Sequence, residues 1–269
     1  MYKKGFTLLA FVFLLVFVSC LPKTDPENKE FLVLIETSEG PIKIKLYQET
    51  PQHRDNFIKL VRESYYNGTL FHRVINEFMI QGGDPDSRLS KPGEVLGNGG
   101  PGYTVPAEFQ PKLFHKKGAL AAARERDKVN PQRRSSGSQF YLVQGKVFTD
   151  DGLDKMELRI NDMLKQAAFF RFIEEEKVIA LGKGQEVDMA KIQEAASLRA
   201  EVEFINMQPY KIPLEQREVY KTLGGTPHLD QNYTVFGEIV EGLGVLDKIS
   251  ATEVDDKNRP VKDIKIVSM

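Results

Sequence analysis

The stretch Phe71 to Asp84, FHRVINEFMIQGGD, holds the densest set of groups able to do chemistry. Residues 73–81 supply a guanidinium (Arg73), an aromatic ring (Phe78), a thioether (Met79) and a carboxamide (Gln81). In a strand, Met79 and Gln81 share one face, because side chains alternate with a period of two. A second patch, Gly137-Ser138-Gln139-Phe140-Tyr141, adds another amide and another ring. Together these residues predict a groove with an apolar floor, a few aimed donors and no nucleophile. Such a groove suits recognition of an extended peptide with an apolar ring, not bond cleavage.

The elements that must hold these groups follow from periodicity. Phe31-Leu-Val-Leu-Ile-Glu-Thr and Ile42-Lys-Ile-Lys-Leu-Tyr read as strands joined by a turn at Ser38-Glu39-Gly40-Pro41. Thr50-Pro51 reads as an N-cap followed by Pro at the first helical position. Phe57, Leu60, Val61 and Tyr65 then carry an amphipathic helix over 51–66. Short β-like runs alternate with Gly- and Pro-rich turns from Phe71 to Gln144, and strands return at 234–240 and 262–268 around a short helix near 242–249. Many strands and two helices predict a mainly β protein, a closed antiparallel barrel with helical caps.

Residues 150–222 break this style. Leu153, Met156, Ile160, Met163, Leu164, Ala167 and Phe170 recur at helical spacing, as do Ile192, Ala195, Leu198, Val202 and Ile205, and Pro213 can start a third helix over 214–222. The segment reads as a helical insertion in a β domain, with 15 acidic and 11 basic residues.

The chain has 269 residues, 41% of them hydrophobic, and a formal charge of −1, which gives no reason to expect nucleic acid as a partner. One Cys excludes an internal disulfide framework and any multi-cysteine zinc site. Lys3 and Lys4 precede the apolar run Phe6 to Val18, which ends at Ser19-Cys20. That pattern reads as a secretory signal peptide over 1–19. FVSC resembles a bacterial lipobox, which makes Cys20 the expected site of lipidation, although Phe17 stands where Leu is commonest. The alternative is an ordinary signal peptide with an incidental Cys. Residues 20–30 are polar and read as a flexible tether. An exported chain, lipid-anchored in a bacterial envelope on its periplasmic or surface side, is the resulting expectation.

FHRVINEFMIQGGD, followed by GALAAA, SGSQFYLV and YTVFGEIVEGLGVLDKI in that order, resembles a cyclophilin-type peptidyl-prolyl cis-trans isomerase over 31–149 and 223–269. The resemblance implies a closed eight-stranded antiparallel barrel with two capping helices, and rotation about Xaa-Pro bonds as the reaction. It implies Arg73 as the main catalytic group and Gln81 as the holder of a substrate carbonyl. It places Phe78, Met79, Tyr141 and Leu229 around the proline, Ala123 and Arg124 beside the preceding residues, and Gln139 in the adjoining subsite. His228 stands where Trp or Phe is usual, Tyr141 where Phe is usual, Tyr233 where eukaryotic members have His, and Arg124 where Asn is typical. Loss of that Trp implies weak cyclosporin binding. Proline-containing clients, a monomer and no cofactor are expected.

Other features receive plainer readings. Gly97-Asn-Gly-Gly-Pro-Gly102 matches GxGxxG, but Pro101 lies within it and YTVPAEF follows, so a turn cluster is expected. His53, His72, His115 and His228 show no metal-ligand spacing. Between Lys112 and Arg134, eight basic residues face two acidic ones, read as a solvated loop or as a bias toward acidic clients. The insertion reads as a substrate platform or a decorative hairpin, and its removal is expected to spare short-peptide activity. The rival to an enzyme is a weakly catalytic binding or chaperone scaffold working through the insertion.

Overall fold

A computed structural model describes residues 30–269 of the chain; the signal peptide, Cys20 and nearly all of the tether lie outside the described residues. Strands β1 (Phe31–Thr37) and β2 (Gly40–Leu46) form the expected hairpin, and α1 (Pro51–Arg62) follows. Next come β3 (Arg73–Ile75), β4 (Met79–Gly82), β5 (Thr104–Val105), β6 (Ala119–Ala122), β7 (Ser135–Ser136) and β8 (Phe140–Val143). Three helices intervene, α2 (Asp150–Gly182), α3 (Met189–Asn206) and α4 (Leu214–Thr222), before β9 (Val235–Glu241), α5 (Leu243–Ser250) and β10 (Ile266–Ser268).

Eight strands make one antiparallel sheet in the order β10-β1-β2-β9-β6-β8-β4-β3. Its two ends, β3 and β10, do not pair, so the expected closed barrel is corrected to an open one. The reason lies in the short ends. Backbone just before β3 meets the last strand only through an isolated bridge, Leu70 to Lys265, and single bonds such as Gly68 N–H to Ile266 O at 2.7 Å and Phe71 N–H to Ile264 O at 2.9 Å. Gly68, with φ +79°, closes the turn that precedes this contact.

Alternation along each strand sorts the side chains into two layers. Ile42, Ile44, Ile80, Leu120, Phe140 and Leu142 fill the inner core beneath α1 and α5. Phe57 of α1 anchors that core, with its ring 5.5 Å from both Phe140 and Phe236 in edge-on contact. Such aromatic pairs contribute about 0.5–1.5 kcal/mol each beyond area burial. Met79, Ala121, Tyr141 and Val235 point to the opposite, outer face.

The cap of α1 differs from its sequence expectation. Thr50 makes no side-chain cap bond, and its buried hydroxyl has no partner. Glu108 takes the role instead, its carboxylate accepting from Gln52 N–H at 3.1 Å and His53 N–H at 2.9 Å. A full negative charge at a helix N-terminus satisfies both orphan donors and the dipole better than a hydroxyl.

Helix α2 runs on past Phe170, the last residue of the apolar stripe read from sequence, as its buried face changes partner. Leu153 and Ile160 pack with Ile212 and Tyr220 near Phe114 and Phe148, whereas Phe172 and Ile173 pack with Ile192, Ala196 and Ala200 of α3. Buried Glu157 ties the near end together, accepting from Ile212 N–H at 3.0 Å, Lys211 Nζ at 2.8 Å and Arg217 Nη1 at 3.1 Å. The return of the chain after α4 is sewn to the sheet layer through Gly225, whose N–H donates to Lys146 O at 3.0 Å and whose carbonyl accepts from Lys146 N–H at 3.2 Å.

Gly225 has φ +157°, and a Cβ there meets the His115 carbonyl oxygen and the Tyr220 ring. Gly225→Ala is expected to destabilise the protein by about 2–3 kcal/mol, the cost of overpacking at a site that cannot relax. A urea midpoint equal to wild type would contradict this packing.

Candidate functional site

Sheet register brings the sequence-predicted residues into one row. Arg73 pairs with Gln81 across β3 and β4, Gln81 with Tyr141 across β4 and β8, and Tyr141 with Ala121 across β8 and β6. All four point outward, since each strand's neighbouring residues (Val74, Ile80, Leu142, Leu120) lie in the inner core. The row therefore sets a guanidinium, an amide, an aromatic ring and a methyl side by side.

Hydrogen bonds fix the polar end. Arg73 Nη1 donates to Gln81 Oε1 at 3.3 Å, Gln81 Nε2 donates to Gln139 Oε1 at 3.0 Å, and Gln139 Nε2 donates to the Gly97 and Gly99 carbonyls at 2.9 and 2.8 Å. Arg73 is half-buried, and that burial lowers its pKa, with Tyr233 opposing the shift. A guanidinium so placed remains charged at neutral pH. Arg73, Gln81, Ala123, Arg124 and Gln139 line a groove of about 1120 Å³, walled on one side by residues 97–104.

The apolar end holds Met79, Tyr141, Leu229, Ala121 and Val235, with Phe78, Ala123 and Tyr233 packed against them. Phe78 stacks on His228 with ring centroids 5.5 Å apart. The imidazole thus replaces part of the apolar wall with a ring that can still stack. Ala123 and Tyr233 belong both to this cluster and to the groove, which makes the two parts continuous.

The Arg124 guanidinium is held by neighbouring groups. Its Nε donates to Asn232 O at 2.8 Å, its Nη1 to Asp127 Oδ1 at 2.5 Å, and its guanidinium carbon lies 4.6 Å from the centre of the Tyr233 ring. Four other cations of the 112–134 stretch are similarly occupied, while Lys112, Arg126 and Lys128 are exposed. Arg133 donates to Gln231 O at 3.2 Å, and Arg134 donates to Thr104 Oγ1 at 2.7 Å and Thr104 O at 2.8 Å. Lys116 and Lys117 pair with Glu238 and Asp247. A free, solvated loop does not describe these residues; they staple the rim together.

Several residues of the site escaped sequence reasoning. The glycine cluster at 97–102 is a turn, with positive φ at Gly97 and Gly102, and also the wall that anchors Gln139. His72 lines the groove buried, with neither ring nitrogen hydrogen-bonded. Its neighbour Arg73 drew attention by charge, whereas a buried neutral His gives no sequence signal.

The family comparison agrees with this geometry. A family model described as cyclophilin type peptidyl-prolyl cis-trans isomerase matches residues 32–202 and 188–269. A protein of Staphylococcus epidermidis provisionally named peptidyl-prolyl cis-trans isomerase is 30% identical over 247 residues, covering 90% of this chain and 92% of the relative. A Staphylococcus aureus protein of the same name is 30% identical over 246 residues, covering 91% and 93%. A crystal structure of a Cryptosporidium parvum cyclophilin type isomerase shares the fold at a TM-score of 0.52 and 19% identity, covering 89% of this chain and 96% of that one.

Burial sets a pH response at this site. It lowers the pKa of both His72 and His228 to about 4, aided for His228 by Arg159 and His115 and opposed for His72 by Asp84. Both rings stay neutral when folded but take up protons on unfolding below about pH 6.5, so their contribution to stability is present above that pH and lost as pH falls toward 4. Each can steepen the acid loss by up to about 1.4 kcal/mol per pH unit. His228→Phe should flatten the fall in unfolding free energy between pH 6.5 and 4.5, measured by urea titration; an unchanged slope would contradict the neutral buried ring.

With an outward row that pairs one guanidinium with an apolar pocket, and with relatives aligned over nine-tenths of its length, the chain belongs to the cyclophilin-type peptidyl-prolyl cis-trans isomerase family.

Proposed function

We propose that Arg73 is the catalytic group and that the row from Gln81 to Tyr141 seats the Xaa-Pro substrate. The reaction rotates an amide whose resonance barrier is about 18–20 kcal/mol, with no bond made or broken. In the twisted state the prolyl nitrogen pyramidalises and regains a lone pair. A guanidinium N–H beside it donates to that lone pair and opposes the return of resonance, an interaction absent from the planar ground states. The proline ring sits on Met79, Phe78, Tyr141 and Leu229, beside His228. Gln81 holds a substrate carbonyl, and the residues before proline run along Ala123, Arg124 and Gln139 in the groove. The observation that carries this reading is the register pairing of Arg73 with Gln81 and of Gln81 with Tyr141.

Arg73→Ala should slow isomerisation of a short Ala-Pro peptide by at least tenfold, equivalent to about 1.4 kcal/mol or more of transition-state stabilisation. The test is kcat/KM for the full-length chain and the variant, with unfolding midpoints as a fold control. Equal values would remove Arg73 from the mechanism.

The biological setting is part of the same proposal. Lys3, Lys4, the apolar run from Phe6 and the Cys at position 20 support export and lipid anchoring, with 20–30 as tether, 31–149 and 223–269 as the isomerase domain and 150–222 inserted into it. Among the described residues no helix is long and apolar enough to cross a membrane. Clients would then be proline-containing polypeptides of the envelope. Cells fed labelled fatty acid should label the wild-type chain and not Cys20→Ser; equal label in both would refute the anchor.

A further inference from the structure

The helical stretch 150–222 reaches the proline pocket through buried hydrogen bonds. Tyr141, whose ring is a floor of that pocket, has its hydroxyl 3.0 Å from His115 Nε2. His115 Nδ1 lies 2.8 Å from Asp230 Oδ1, which also accepts from the His115 backbone N–H at 2.9 Å. The other oxygen, Asp230 Oδ2, accepts from the hydroxyl of Tyr220 in α4 at 2.7 Å. All four side chains are buried: Tyr141 is 4% exposed, His115 and Asp230 1% each, and Tyr220 0%.

Both ends of this chain are tyrosine hydroxyls. Burial raises both tyrosines well above their ordinary pKa, so both hydroxyls keep their protons. Tyr220 can only donate to the carboxylate. In the tautomer that donates Nδ1–H to Asp230, Nε2 accepts from the Tyr141 hydroxyl. Each side-chain donor in the chain has its partner within it, so a change at Tyr220 is felt at the far end. The neighbouring wall is held from the same side, because α2 packs against the turn Pro227–Leu229 that carries His228 and Leu229.

We infer that Tyr220 is a positioning residue for isomerisation, acting through Asp230 and His115 to hold the Tyr141 ring in the proline pocket. The helical stretch is then a working part of the active site. Its removal would cost short-peptide activity, opposite to the sequence expectation. The inference rests on Tyr141 serving as pocket floor, as proposed above.

A double-mutant cycle in the full-length chain tests it. Tyr220→Phe, Tyr141→Phe and the double variant are assayed for kcat and KM on an Ala-Pro peptide, with Arg73→Ala as reference and unfolding midpoints alongside. Tyr220→Phe should lower kcat/KM by about three- to tenfold in the wild-type background and by less than twofold once the Tyr141 hydroxyl is gone, since the relay then has no end to act on. A purely structural tyrosine would lower the unfolding midpoint alike in both backgrounds without that dependence. Unchanged kcat/KM in Tyr220→Phe, or equal losses in both backgrounds, would overturn the inference. Should Tyr220→Phe fold poorly, Asp230→Asn is read in the same two backgrounds, with the same outcomes expected. An Arg73→Ala variant as active as wild type would instead count against the underlying reading of the site.

Discussion

Among the described residues the guanidinium of Arg73 bonds one side chain, through the Oε1 of Gln81 at 3.3 Å, and the polar half of the site is built to keep that bond in one direction. Because Gln81 Oε1 accepts, its Nε2 must donate, and it does so to Gln139; Gln139 in turn must donate, to Gly97 and Gly99. An amide flipped anywhere along this line would set donor against donor. The line ends on a loop that Asp84 holds, accepting from Gly97 N–H at 2.5 Å. Asp84 also occupies the space a Cβ at Gly99 would need. Preorganised donors of this kind stabilise charge at no reorganisation cost when the reaction occurs.

Sheet geometry supplies the other half. Antiparallel pairing is what sets Arg73, Gln81, Tyr141 and Ala121 in one outward row, and the inward neighbours Val74, Ile80, Leu142 and Leu120 make a register slip costly by exposing the core. The polar and apolar halves of the row are thus consequences of the same hydrophobic packing that forms the fold.

The row was legible in sequence because its elements are local: FHRVINEFMIQGGD carries two paired strands and the turn between them, and period-two alternation sorts Met79 and Gln81 to one face. The open seam was not legible, since it depends on how far the three-residue strands at opposite ends of the sheet extend. Glu108 capping α1 and Tyr220 reaching Asp230 were equally invisible, as each joins segments whose spacing in sequence says nothing of their contact. The arginines at 124, 133 and 134 misled for a related reason. Charge composition predicts solvation, but Arg124, Arg133 and Arg134 find backbone carbonyls that only the folded rim presents. Substitutions such as Tyr141 for Phe become intelligible once the partner is seen: the additional hydroxyl is satisfied by a buried histidine.

The most direct measurement is a crystal structure of the chain bound to an Ala-Pro-containing peptide. The account predicts the proline ring against Met79 and Tyr141, an Arg73 N–H within hydrogen-bond distance of the prolyl nitrogen or its amide, and the Gln81–Gln139 line unbroken. A peptide seated elsewhere, or a bound proline from which Arg73 is turned away, would contradict it.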